Sequence, residues 1–117
     1  MITLGLEAAP SVVKVVNLRD FGGRRKAEAA GVIYVGRPTP LGNPFSLLKF
    51  SRQNSIDRYR RWLYERLTIG DEKVIEALES LTDKSVIGCF CKPLACHGDI
   101  IVKAWTWWRT KNGFASS

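Results

Sequence analysis

Every cysteine and the only histidine of this chain fall within nine consecutive residues, Cys89 to His97, and Asp99 follows two places on. Thiol, imidazole and carboxylate are the side chains that bind metals, act as nucleophiles and move protons. Three readings of this cluster compete. In a metal reading, Cys89, Cys91, Cys96 and His97 supply a Cys₃His set for zinc, with Asp99 behind it or as an alternative ligand. The spacing Cys-x-Cys-x₄-Cys-His departs from the usual C-x₂-C pair, and the adjacent Cys96 and His97 must splay. In a catalytic reading, a thiolate at Cys96 is activated by a helix N-terminus and by His97, and Asp99 orients the ring or helps to capture a ligand. In the plainest reading, Cys89 and Cys91 are small buried hydrophobes, His97 is a hydrogen-bonded core residue and Asp99 is an anion in the first turn of a helix. A disulfide between Cys89 and Cys91 is disfavoured, because alternate side chains on a strand stand about 6.5–7 Å apart.

A second stretch has the composition of a fixed loop. Gly36-Arg37-Pro38-Thr39-Pro40-Leu41-Gly42-Asn43-Pro44-Phe45 holds three prolines and two glycines, which excludes regular structure. Arg37 can hold a carboxylate or phosphate through its planar fork, and Asn43 can donate and accept toward a base or sugar. The plainer alternative is a rigid turn with Arg37 paired to a carboxylate such as Asp99.

These residues need elements to hold them. Ser11–Leu18 reads as a strand, and Gly22–Lys26 as a basic turn running into a short Ala-rich helical piece. Val32–Val35, apolar throughout, reads as a second and central strand. Ser55–Leu67 reads as a helix with Ile56, Tyr59, Leu63 and Leu67 on one face and Asn54 or Ser55 as its cap. A second helix is expected from Asp71 to Leu81, and a third strand over Ser85–Cys91. The last helix should run from Cys96–Asp99 to about Lys111, with Ile101, Ala104, Trp105 and Trp108 inward. The order β-β-α-α-β-α predicts a small single α/β domain with at least three strands, mostly parallel or mixed, flanked by helices. Its limits are expected at residues 12–112, with loose ends at 1–11 and 113–117. Short extra strands near 1–6 or 45–50 would fit. Cys89 and Cys91 then share one strand face, and Gly98 lets a ligand or a backbone segment approach the helix N-terminus. Both candidate stretches follow strands, so neighbouring strands would make them one rim around one pocket.

The chain of 117 residues has a formal net charge of +7, unevenly spread. Lys14 to Arg66 holds 12 basic and 4 acidic residues, whereas Asp71 to Asp83 holds 5 acidic residues against Lys73. This asymmetry suits a polyanion or a phosphate-bearing ligand as readily as a plain solvated surface. Arg24, Arg25, Arg58 and Arg61 are candidate phosphate contacts, and Trp107 a candidate stacking surface. Trp62, Trp105 and Trp108 read as core. No membrane-spanning run and no signal peptide is visible, and three clustered cysteines suit a reducing compartment. A cytoplasmic setting is expected, in a prokaryote or a virus-infected host cell.

Val13–Arg19, Tyr34-Val35-Gly36-Arg37-Pro38-x-Pro40-Leu41-Gly42-Asn43-Pro44-Phe45, Tyr59-Arg60-x-Trp62-Leu63 and Gly88-Cys89-x-Cys91-x-Pro93-x-x-Cys96-His97-Gly98-Asp99 together carry a resemblance. The chain resembles a small domain family of phages, bacteria and archaea known as a domain of unknown function (number 4326), over roughly residues 12–105. Phe90 stands where many members carry tryptophan. The resemblance implies no settled reaction. It implies that the loop and the Cys/His/Asp junction act together, and the family's phage association leans toward nucleotides, nucleic acids or host–virus conflict. Three functions follow as expectations. The first is an enzyme or binding domain for a nucleotide or nucleic-acid-derived ligand, with Gly36, Arg37, Asn43 and Gly98 at the ligand and Cys96, His97 and Asp99 in the chemistry. The second is a non-catalytic nucleic-acid-binding module with structural zinc, and the third a viral protein-interaction module using exposed aromatics.

Overall fold

The computed structural model describes residues 13–90 and 96–112. The chain enters as strand β1 (Lys14–Asn17), passes a 3-10 turn (Leu18–Phe21) and helix α1 (Arg24–Ala29), and returns as β2 (Ile33–Tyr34). Helices α2 (Arg52–Ile69) and α3 (Glu72–Glu79) precede β3 (Val86–Cys89), and α4 (His97–Asn112) ends the described chain. The three strands form one parallel sheet in the order β1-β3-β2. The domain is α/β, as expected, and the short helical piece expected after Gly22 is α1, between the first two strands.

Alternation along the strands sorts the side chains into two layers. Leu18, Ala27 and Val32 form a small core on the α1 side, with Val16, Tyr34 and Val86 packed on it. Val13, Val35 and Ile87 face the other way, into the main core built with α2, α3 and α4. Tyr59, Leu63, Leu67, Leu78, Ile101 and Trp105 fill that core. Burying each such side chain contributes about 1.5–3 kcal/mol.

The second strand is not central. Val86–Cys89 occupies the middle, and Ile33 is left 39% exposed at the sheet edge. The apolar run Val32–Val35 comes from serving both layers, since Val32 packs under α1 and Val35 in the main core. Gly88 explains why the third strand can be covered so closely. A Cβ there would lie 2.5 Å from Leu18 Cδ2 and 2.8 Å from Val32 Cγ1. Residues 45–50 form no strand; the carbonyl of Ser46 accepts from the amides of Lys49 and Phe50 in a turn.

Helix α2 starts three residues before the expected Ser55, because Ser51 caps it by accepting from the Asn54 amide at 3.2 Å. It ends at Gly70, whose φ of 85° is the left-handed conformation that favours glycine. Asp71 caps α3 through the Val74 amide at 3.3 Å. Trp105 is buried and donates to the Leu81 carbonyl at 3.1 Å. Trp62 and Trp108 are half-buried, and Trp108 reaches the Glu79 carboxylate at 2.7 Å. None of the described helices is long and apolar enough to cross a membrane.

Substituting Gly88→Ala should therefore overpack the small core. We expect a loss of about 1–3 kcal/mol in urea unfolding, with Ala27→Gly in the same core as a comparison that cannot overpack.

Candidate functional site

All three strands are parallel, so their carboxyl ends share one edge, and the loop after β2 meets the junction after β3 there. A pocket of about 360 Å³ lies at this edge, lined by Tyr34, Gly36, Arg37, Asn43, Phe45, Leu47, Cys89, Phe90 and His97. Residues from both sequence stretches thus line one cavity. Its volume falls within the range of small-molecule sites.

The loop wall holds itself rigid. Thr39 donates from its amide and hydroxyl to the Gly36 carbonyl, at 2.9 and 2.6 Å, and Gly42 donates to the Thr39 carbonyl at 2.9 Å. The Tyr34 hydroxyl donates to the Arg37 carbonyl at 2.8 Å. A Cβ on Gly42 would lie 2.8 Å from the Gly36 oxygen, so glycine there lets the chain fold back on itself, and a Cβ on Gly36 would run into the Tyr34 hydroxyl. The Arg37–Pro38 peptide is cis.

Asn43 is spent largely on architecture. Its Oδ1 accepts from the Phe45 amide at 2.8 Å, while its Nδ2 donates to Ser55 Oγ at 2.8 Å. Ser55 Oγ in turn donates to the Phe45 carbonyl at 2.6 Å, closing a ring of three hydrogen bonds on a fully buried serine of α2. Arg37, by contrast, is exposed at the rim, and neither salt bridge between described residues includes it.

The junction divides its functional groups among three tasks. His97 is buried, and its Nε2 lies 2.8 Å from the Val35 carbonyl. A carbonyl only accepts, so Nε2 carries a proton and donates it. Its ring stands edge-on to Tyr59, with centroids 5.1 Å apart. Cys89 and Cys96 are buried with their sulfurs 3.2 Å apart, and Cys89 also lines the pocket. Asp99 Oδ2 accepts from the Cys96 amide at 3.3 Å, the backward half of a helix-capping box. Asp99 also lines a shallow surface over β1, with Val13, Lys14, Val15 and Lys103. Gly98 packs the helix start against β1, where a Cβ would lie 2.8 Å from Val15 Cγ1. Among the described residues no group of three or more His, Cys, Asp or Glu is arranged to hold a metal ion. Cys91, part of the zinc reading, lies outside the described residues.

The basic candidates are scattered. Arg24 pairs with Glu28 at 3.5 Å and covers the Tyr34 ring at 3.9 Å, which brings it behind the pocket wall. Arg25 is exposed on the same helix. Arg58 and Arg61 line a separate depression with Phe45, Trp62 and Glu65. Trp107 is half-buried against Tyr64 at the far end of α4, with Lys111 over its ring.

Sequence reasoning passed over the aromatic walls, Tyr34, Phe45 and Phe90, and the supporting Ser55. Phe45 closes the Gly-Asn-Pro-Phe motif and Phe90 separates two cysteines, but each also reads as ordinary core. What distinguishes Phe90 is its 46% exposure, which alternation along a strand does not reveal.

Tyr59 ties the site to the main core. It is fully buried, and its hydroxyl donates to the Leu41 carbonyl at 2.6 Å. Burial raises its pKa well above the usual 10.0, and the nearby Cys96 thiol, once ionised, pushes it the same way. A raised folded-state pKa gives stability that is complete below pH 10.0 and is lost as pH climbs toward the folded value. Unfolding free energy should therefore fall steeply above pH 10.0. Tyr59→Phe should cost about 1–3 kcal/mol at neutral pH, through the orphaned Leu41 carbonyl, and should flatten that alkaline limb. Urea unfolding at both pH values checks the two effects separately.

Comparison with curated proteins and with solved structures gave no match. The loop, the Tyr59 helix and the Cys/His junction all lie within residues 16–107, which match the family model described as Domain of unknown function (DUF4326), and the chain belongs to that family.

Proposed function

We propose that the pocket at the strand ends binds a nucleotide or a nucleic-acid-derived ligand. The observation that carries this reading is the pairing of an exposed guanidinium with aromatic walls on a preformed cavity. Arg37 stands at the rim, and Tyr34, Phe45 and Phe90 supply ring surfaces. A planar base needs such surfaces to stack on, and a phosphate needs a charge that is not already neutralised. The loop's polar groups bond one another, so the cavity exists before a ligand arrives and little ordering entropy opposes binding. The positive balance of residues 14–66 favours approach of an anion.

The buried groups that touch the cavity, His97 and Cys89, give the ligand a polar floor. His97 already donates Nε2–H to Val35. In this reading it sets the shape of the floor, and Arg37 and Phe90 supply affinity.

Isothermal titration with mononucleotides bearing each of the common bases tests the reading. One class should bind in a 1:1 ratio. Arg37→Ala should weaken it by about 1.5–3 kcal/mol, the range for a hydrogen bond to a charged group, and Phe90→Ala by about 1–3 kcal/mol, as for a lost base stack. Absence of saturable heat for every nucleotide, or full affinity in Arg37→Ala, would sink it.

A further inference from the structure

The pocket is not isolated. Phe45 forms part of its wall and also part of the wall of a second depression of about 310 Å³, lined by Arg58, Arg61, Trp62 and Glu65. Two concave sites therefore adjoin across one aromatic side chain. The second has the same chemistry as the first, with guanidinium groups beside ring faces. Arg58 also lies over the Phe50 ring at 4.5 Å, and Phe50 packs edge-on to Phe45 with centroids 6.0 Å apart. Trp62 stacks on Tyr59 at 5.6 Å, which fixes its indole from behind.

Arg58 and Arg61 are exposed on α2, and neither takes part in a salt bridge between described residues. Among the described residues that line the two sites, Arg37, Arg58 and Arg61 oppose the single carboxylate of Glu65. Leu47 and Leu48 add apolar surface near the first pocket, with Leu47 in its lining and Leu48 98% exposed. Arginines interleaved with ring faces along a surface match a single nucleic-acid strand, whose unstacked bases offer faces and whose backbone offers regularly spaced charge. A duplex hides those faces, and an acidic peptide lacks them.

We infer that the natural ligand is a single-stranded nucleic acid, with one base held in the pocket and the next nucleotide crossing Phe45 onto the Arg58/Arg61 face. This rests on the nucleotide reading of the pocket and adds the second site and the polymer. Arg58 and Arg61 bind backbone phosphates, and Phe45 separates consecutive bases. No bond is made or broken.

Fluorescence anisotropy with a short labelled single strand tests it, beside the same sequence as a duplex, a mononucleotide and polyglutamate as competitor. The single strand should bind at least tenfold more tightly than the mononucleotide at low salt, a margin set as on the order of the contribution of one additional stacked base. The joint change Arg58→Ala and Arg61→Ala should remove that advantage and lower the slope of log K against log salt by about 1.4, at about 0.7 per lost phosphate contact. Arg60→Ala, on the same helix but outside the depression, should change the slope less. Circular dichroism confirms that each variant is folded. If mononucleotides bind and the strand binds no tighter, the strand inference fails and the pocket reading stands. If neither binds, both fall. Equal affinity for the duplex, equal competition by polyglutamate, or an unchanged slope in the double variant would each overturn the second site.

Discussion

The hydrogen bond from His97 to the Val35 carbonyl spans 62 positions and joins the two motif-bearing stretches of the chain. Val35 follows β2 and precedes the Pro/Gly loop, and His97 begins the last helix. Both groups are buried, so neither can exchange its partner for water without a cost of about 1–3 kcal/mol. The imidazole edge rests on Tyr59, and the Tyr59 hydroxyl holds Leu41 halfway along the loop. Val35, His97, Tyr59 and Leu41 thus form one chain of contacts from strand end to loop centre. The pocket is the space this chain holds open beside Arg37 and Phe90.

Much of the fold was legible because it rests on local periodicity. Ile56, Tyr59, Leu63 and Leu67 have helical spacing and are buried on α2. Asp71 marks the next helix as its cap. Sheet order was not legible, because an apolar run describes burial on two faces and says nothing of neighbours. Val32–Val35 earns its composition at an edge, by bridging two core layers. Gly88 carried the missing information, since a strand with glycine in its middle admits close cover from Leu18 and Val32 and so belongs at the centre.

The convergence of the loop and the junction followed from strand ends in a parallel sheet. The tasks of individual residues were harder to read, because polar side chains serve the backbone first. Asn43 two residues before Phe45 is an Asx-turn pattern, and Cys96-x-x-Asp99 has the spacing of a capping box. Both patterns are visible in the sequence, yet each competes with a chemical reading of the same residue. The contacts separate them: Asn43 closes a ring with Ser55, and Asp99 bonds the amide of Cys96, the residue just before its own helix.

Of the potential ligands clustered in sequence, the four among the described residues face different ways. The Cys89 and Cys96 thiols meet in the interior, His97 turns toward the edge strand, and the Asp99 side chain also lines the surface over β1. Residues at consecutive positions of a helix start point about 100° apart, so a run such as Cys96-His97-Gly98-Asp99 cannot aim all its side chains into one cavity. In the proposed reading a ligand meets the Arg37 guanidinium and the ring surfaces of Tyr34, Phe45 and Phe90. A loop whose amides and hydroxyls are paired internally can present such groups without moving. In that reading, recognition at this site draws on rim charge and ring surface, while the contacts of Cys89, Cys96 and His97 with one another and with Val35 hold the walls in place.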